Sequence, residues 1–273
     1  MRMRGCRTDL AAEELPSGGG ELPGVVCRNY DRDGFPVTEV EILDERGAEK
    51  LCKPIGSYIT MDLETFFQRR EDSFSHAVRL LASCIGRVLP LAPGDSVLVA
   101  GLGNPAITPD AVGPETAAST LATRHLKEQM PEDFSAFRTV SVCRTGVLGT
   151  TGMESAELIR AVCGAVRPDA VVVVDALAAR SAEKLCRTVQ LTDSGIVPGS
   201  GIGNDRAELS RRVLGVPVAA LGVPTVVDAG DGLIVTPREI DKYVKDAGKL
   251  IAYALNLALH PGLTLADVDM FAG

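Results

Sequence analysis

Apolar residues in this chain follow two rhythms. From Val37 to Leu43, "VTEVEIL" alternates apolar and charged residues as a half-exposed strand does, and "DERG" then supplies a turn. Between Asp62 and Leu89 the apolar positions Phe66, Phe67, Phe74, Val78, Leu81, Ile85 and Val88 recur at three-, four- and seven-residue spacings. That spacing predicts one or two amphipathic helices, ended by Pro90 and Pro93. Strands and helices then alternate. "SVLVAGL" reads as a strand, Ala111–Met130 as a helix with Thr108 as N-cap and Pro109 as its first residue, "FRTVSVC" (Phe137–Cys143) as a strand and Met153–Val166 as a helix. "DAVVVVDAL" (Asp169–Leu177) is a strand whose unbroken valines imply cover on both faces. "CRTVQLT" (Cys186–Thr192) and "VPVAALGVPTVVD" (Val216–Asp228) add strands around a short helix near Arg206–Leu214. The capping box Thr236-x-x-Glu239 opens a final helix.

This order predicts a three-layer α/β sandwich with a mostly parallel central sheet and right-handed crossovers. The 273 residues form a single domain, with 1–61 an N-terminal β-containing elaboration and 62–273 the α/β core. "PSGGGELPG" (Pro16–Gly24) reads as a loop. A formal net charge of -8 and the lack of a basic run argue against nucleic-acid or anionic-membrane partners. Seven scattered cysteines with no C-x-x-C pair suit a reducing cytoplasm, and three histidines with no close ligand pair give no zinc site. The N-terminus lacks an apolar signal core, and no run of about 18 apolar residues occurs, so the chain is expected to stay in the cytoplasm.

In such sheets the ligand lies beyond the carboxyl ends of the strands. "VLVAGLGNPAITPDAVGP" fits G-x-G-x-x-A, but Pro105 and Pro109 remove backbone donors and delay the helix that a dinucleotide pyrophosphate needs. What the stretch does deliver is Asp110. Asp175 follows the valine run, and if the first and third strands are neighbours, the two carboxylates meet. Two close carboxylates share one proton, which is the arrangement for hydrolysing an amide with water: one takes a proton from water while the other donates to the carbonyl and then to the leaving nitrogen. No cofactor is required by that reading, and a divalent metal bridging the pair is the other way to activate the water. Cys143 beside Arg144, Ser181-x-x-Lys184 and the glycine-rich "DSGIVPGSGIGN" (Asp193–Asn204) are weaker signals. The last of these, with Ser200 and Gly201, would hold an extended peptide through main-chain contacts or be a mobile loop.

The segments "RTDLAAE" (Arg7–Glu13), "VTEVEILDERGAEKLCKPIGSYITMD" (Val37–Asp62), "VAGLGNPAITPDAVGP" (Val99–Pro114), "GTTGMESAELIRAV" (Gly149–Val162), "VVVVDALAARS" (Val171–Ser181), "TDSGIVPGSGIGNDRAELS" (Thr192–Ser210) and "GVPTVVDA" (Gly222–Ala229) closely resemble the germination proteases of endospore-forming bacteria. The resemblance covers the chain from Arg7 onward. It implies an endopeptidase of an atypical aspartic type, homotetrameric, made as an inactive precursor in the forespore cytoplasm and acting on small acid-soluble spore proteins at germination. It puts the catalytic aspartates in "TPDA" and "DALA", which are Asp110 and Asp175 here. It also implies a fold similar to the hydrogenase-maturing endopeptidases, whose strand-end aspartate helps to bind a metal. This chain has no obvious histidine to match, which leaves metal dependence open. The family cleaves beside a glutamate, and Arg144 and Arg180 are candidates to receive that carboxylate.

Two departures stand out. Only "MRMRGC" precedes "RTDLA", which leaves a very short propeptide, none, or a start further upstream. Only "GDG" separates "GVPTVVDA" from "LIVTP", where longer members carry an insertion. The alternative functions are a metal-dependent maturation-type endopeptidase acting on another protein, and a non-catalytic binding protein that keeps the fold.

Overall fold

The computed structural model describes residues 8–16, 22–68, 72–203, 206–231 and 233–272. The residues ahead of Thr8, where a very short propeptide was one expectation, and most of "PSGGGELPG", expected as a loop, lie outside them.

The alternating stretch near the N-terminus becomes half of a hairpin, in which β1 (Val25–Arg32) and β2 (Phe35–Ile42) pair antiparallel. Phe35, Val37, Val40 and Ile42 of β2 are buried. The turn predicted from "DERG" becomes a helix, α1 (Glu45–Leu51), because the Asp44 carboxylate accepts from the free N–H groups of Arg46 and Gly47. β3 (Gly56–Asp62) follows, then α2 (Glu64–Phe67) and α3 (Ser73–Val88), so the expected helical region is two helices.

The alternating core comes next. It comprises β4 (Val97–Leu102), α4 (Val112–Ala118), α5 (Arg124–Gln129), β5 (Val140–Gly146), α6 (Leu148–Thr151), α7 (Ser155–Val166) and β6 (Ala170–Ala179). After it come β7 (Thr188–Thr192), α8 (Arg211–Leu214), β8 (Val218–Gly230), β9 (Leu233–Val235), α9 (Ile240–Leu259) and α10 (Leu265–Ala272). All of these strands join one sheet in the order β1-β2-β3-β7-β8-β6-β4-β5, with β9 paired to β8.

β5, β4, β6 and β8 run parallel, as expected for the core. The N-terminal strands continue the same sheet antiparallel, through β3 and β7. Val171 to Val174 are fully buried because helices cover both faces of the parallel half. Val172 and Val174 pack in the large core with α3, α4 and α9, while Val171 and Val173 pack with Ala156 and Ile159 of α7. Among the described residues no helix is long and apolar enough to cross a membrane.

Three local expectations are corrected by tertiary bonding. The helix expected over Ala111–Met130 breaks at 119–123, where the Leu121 N–H donates to Asn256 Oδ1 and the Thr123 N–H to the Val140 carbonyl. Those two donors are satisfied across the fold instead of along a helix. Thr108 is not an N-cap, since it opens a tight turn, Thr108–Asp110, and its hydroxyl donates to Asp241. Nor does Thr236 cap the last helix. Its hydroxyl donates to the Thr225 carbonyl, and α9 begins at Ile240.

Candidate active site

The chain leaves β4 for α4 and β5 on one side and returns to β6 on the other. β4 and β6 therefore flank the point where strand order reverses, the usual place for a ligand in an open α/β sheet. The last pairing between them is Gly101 with Val174, so Asp175 is the first residue of β6 past its pairing with β4. On its other side it pairs with Gly222 of β8.

Asp110 is brought to the same point by the glycines of the loop. Gly103 has φ +110, and a Cβ there would lie 1.9 Å from the Asp110 carbonyl oxygen, so the chain folds back on itself only with glycine at this position. Gly113, in the first turn of α4, lies so close to the strand ends that a Cβ would be 2.2 Å from the Leu102 oxygen and 2.5 Å from the Val174 oxygen. The turn holding Asp110 is pinned from three sides: the Asn104 N–H donates to Asp110 Oδ2 at 2.9 Å, Thr225 donates to the Pro109 carbonyl, and Thr108 is tied to Asp241 of α9.

The two carboxyls sit in unlike surroundings. Asp175 is 6% exposed, and burial first, then the charge of Asp110, holds its carboxyl well above the usual carboxylate range, against a 2.9 Å bond from the Ala176 N–H. Asp110 is half-buried. Burial raises its pKa too, opposed by the Asn104 N–H and by the charge of Arg206. Of the two, Asp175 has the stronger reason to hold a proton, because it is the more deeply buried and meets the charge of Asp110.

A carboxyl that holds its proton more tightly folded than unfolded withdraws stability as pH rises from about 3.9 towards its folded pKa, and the deficit is constant above that. Asp175→Asn never ionises. Its melting temperature relative to wild type is expected to rise between pH 3 and pH 7 in calorimetry, and a constant gap across that range would contradict the buried, proton-holding carboxyl.

The other predicted residues have different surroundings. Arg144 lies within β5, because that strand runs from Val140 to Gly146 rather than ending at Cys143, and its side chain is exposed on the sheet's edge strand. Arg180 does follow a strand end, but its guanidinium donates to the Glu13 carbonyl and to Glu14 Oε1. Ser200 and Gly201 form a short turn over Asp9, with the Ser200 hydroxyl donating to Asp9 Oδ1 at 2.6 Å. Burial pushes the Cys143 thiol up to about 11, which leaves it protonated, and Ser181 caps the turn Ala182–Lys184. His260 ends α9, buried against Phe137, and burial pulls its pKa down to about 4.

Sequence reasoning missed two residues. Asp9 stands in "RTDLA" and Arg206 closes the glycine-rich loop, and the charge of each reaches Asp175. Neither carries a spacing that ties it to the aspartates, since both arrive through loop packing. Arg206 also lies 3.8 Å from Glu154 at the start of α7. Among the described residues no three His, Cys, Asp or Glu side chains cluster so as to hold a metal ion, and the Asp9 oxygens are already bonded to Ala178 and Ser200.

A cavity of about 740 Å³ is lined by Asp9, Lys53, Tyr58, Leu177, Ser194 and Gly222 among others; neither aspartate of the pair lines it, and it approaches Asp175 through Leu177 and Gly222. A buried carboxyl and a half-buried one thus stand at the switch point of an α/β sheet, the place where ligands of such sheets bind. The family model for germination protease matches residues 8–231. The chain therefore belongs to the germination protease family and is an endopeptidase. It is 39% identical to the germination protease of Caldanaerobacter subterraneus subsp. tengcongensis, with 97% of each chain covered. Against the germination protease of Clostridium tetani it is 36% identical, covering 97% of this chain and 98% of the relative. Among solved structures it is similar to a hydrogenase maturation protease from Thermococcus kodakarensis, with TM-score 0.38 and 20% identity over 64% of this chain and 98% of that one.

Proposed function

We propose that this endopeptidase hydrolyses peptide bonds in small acid-soluble spore proteins by carboxylate-activated attack of water. What supports the mechanism above all is the pairing of unlike carboxyls: Asp110 meets a main-chain N–H and the field of Arg206, whereas Asp175 is buried and proton-holding. A water between them loses a proton to Asp110 as it attacks the carbonyl carbon, and Asp175 donates its proton to the carbonyl oxygen. Collapse of the tetrahedral intermediate breaks the C–N bond, the proton gained by Asp110 goes to the leaving nitrogen, and Asp175 recovers its own. Both carboxyls end as they began.

The substrate is inferred from the family resemblance, as are the forespore location and the homotetramer. An apolar strand edge at β9, where Leu233, Ile234 and Val235 are exposed, favours burial between subunits. The test is incubation of the purified protein with a small acid-soluble spore protein, mapping of the products by mass spectrometry and sizing of the same sample by light scattering. Cleavage at discrete sites that persists in a chelator is the expected result. Loss of cleavage restored by a divalent ion would replace the mechanism, and an intact spore protein alongside cleavage of other proteins would replace the substrate.

A further inference from the structure

The first described segment of the chain is built into the site. β4 stops at Leu102, while β6 runs on beside β8 to Ala179, so among the described residues no strand pairs with the edge of β6 that faced β4 past Val174. Asp9 closes that edge at Ala178. Its N–H donates to the Ala178 carbonyl at 2.9 Å, and the Ala178 N–H donates back to its Oδ2 at 2.8 Å. Its other carboxylate oxygen, Oδ1, accepts from Ser200 in the glycine-rich loop, and a Cβ at Gly201 would lie 2.5 Å from Asp9 Oδ2 and 2.7 Å from the Ala178 side chain. The loop therefore rests directly on Asp9, with room for nothing larger than glycine. Thr8 and Asp9 line the cavity together with Leu177 and Gly222, which neighbour Asp175 along β6 and across to β8.

We propose that Asp9 is a positioning residue of the hydrolytic site: it clamps the glycine-rich loop as a wall of the cavity, and it places its carboxylate against Ala178, three residues along β6 from Asp175. This rests on the carboxylate-pair reading. The charged groups that reach Asp175 are Asp110 from the turn after β4, Asp9 from the N-terminal segment and Arg206 from the end of the glycine-rich loop. The two acids favour the proton on Asp175 and the arginine opposes it. Asp9 thus offsets Arg206, whose field would otherwise help to ionise both members of the pair.

The segment is held independently of the Asp9 side chain. Leu10 is fully buried with Leu177 and Ala179, the Glu13 carboxylate accepts from the N–H groups of Arg180 and Ser181, and Lys53 donates to the Thr8 carbonyl. Asp9→Asn therefore removes the charge while its amide can keep both contacts, the oxygen on Ala178 and the NH2 on the Ser200 hydroxyl. Ser200→Ala keeps the charge and releases the loop.

The experiment measures kcat/KM against pH, and KM, for cleavage of a small acid-soluble spore protein by both variants. In Asp9→Asn the basic limb, which tracks loss of the Asp175 proton, is expected to move to lower pH. In Ser200→Ala that limb stays in place and KM rises several-fold. An unmoved limb in Asp9→Asn, or an unchanged KM in Ser200→Ala, overturns the proposal, and the serine variant decides the clamp even if the aspartate variant fails to fold. Asp175→Asn run alongside separates the two readings. If it cleaves normally, the carboxylate pair itself is wrong; if it is dead while the Asp9→Asn limb has not moved, only the role of Asp9 is.

Discussion

Asp110→Asn and Asp175→Asn are each expected to lower kcat/KM for peptide cleavage by about 10²–10⁴-fold, the range for loss of a positioned acid or base. The two fail for different reasons. In Asp110→Asn the new amide oxygen could still accept from the Asn104 N–H, so the turn would keep its shape, but the side chain could not take a proton from water. In Asp175→Asn the amide oxygen could still accept from the Ala176 N–H, yet the amide is far too weak an acid to protonate a carbonyl oxygen. Because the residues act as one unit, the double variant is expected to lose little more than either single one. Full cleavage by either single variant, assayed with the folded protein over pH 4–8, would end the paired-carboxylate mechanism.

Gly113→Ala is expected to cost about 1–3 kcal/mol of stability and most of the activity at once. The new methyl would meet the main chain of Leu102 and Val174 at 2.2–2.5 Å, and main chain within a sheet cannot turn aside as a side chain can. α4 must lift from the strand ends, carrying the Asp110 turn away from Asp175. A melting-temperature loss of roughly 2–4 °C per kcal/mol is the readout. Gly164→Ala is the control. Gly164 lies in α7, a Cβ there meets nothing within 4 Å, and the same substitution is expected to stabilise by about 0.5–1 kcal/mol without touching activity. Equal effects at the two glycines would show that close approach at Gly113 does not position the site.

The candidate pair was legible because Asp175 directly follows an unmistakable strand signal and Asp110 lies in the loop that follows another. The valine run ends at Val174 and "VLVAGL" at Leu102, and neighbouring strands bring the residues beyond their ends together. Other elements were legible in kind but not in extent. The β5 boundary slipped by three residues at each end, since Phe137 joins an aromatic cluster with Phe134, His260 and Phe271 instead of the sheet, and Arg144 became a strand residue in consequence. The glutamate-receiving role suggested for Arg180 met a tertiary fact that no spacing reveals: Glu13 and Glu14, some 166 residues away in sequence, already bond it.

By itself the sequence determined the alternation of strands and helices, the burial of the valine strand and the placing of Asp110 and Asp175 after two strand signals, because periodicity and turn chemistry are written in neighbouring residues. Only the tertiary structure decided that the N-terminal hairpin extends the same sheet, that Asp175 is the more deeply buried of the two carboxyls, and that the charges of Asp9 and Arg206 reach it. Those outcomes depend on desolvation and on contacts between segments far apart in the chain, and burial and long-range charge come into being only when the chain closes on itself.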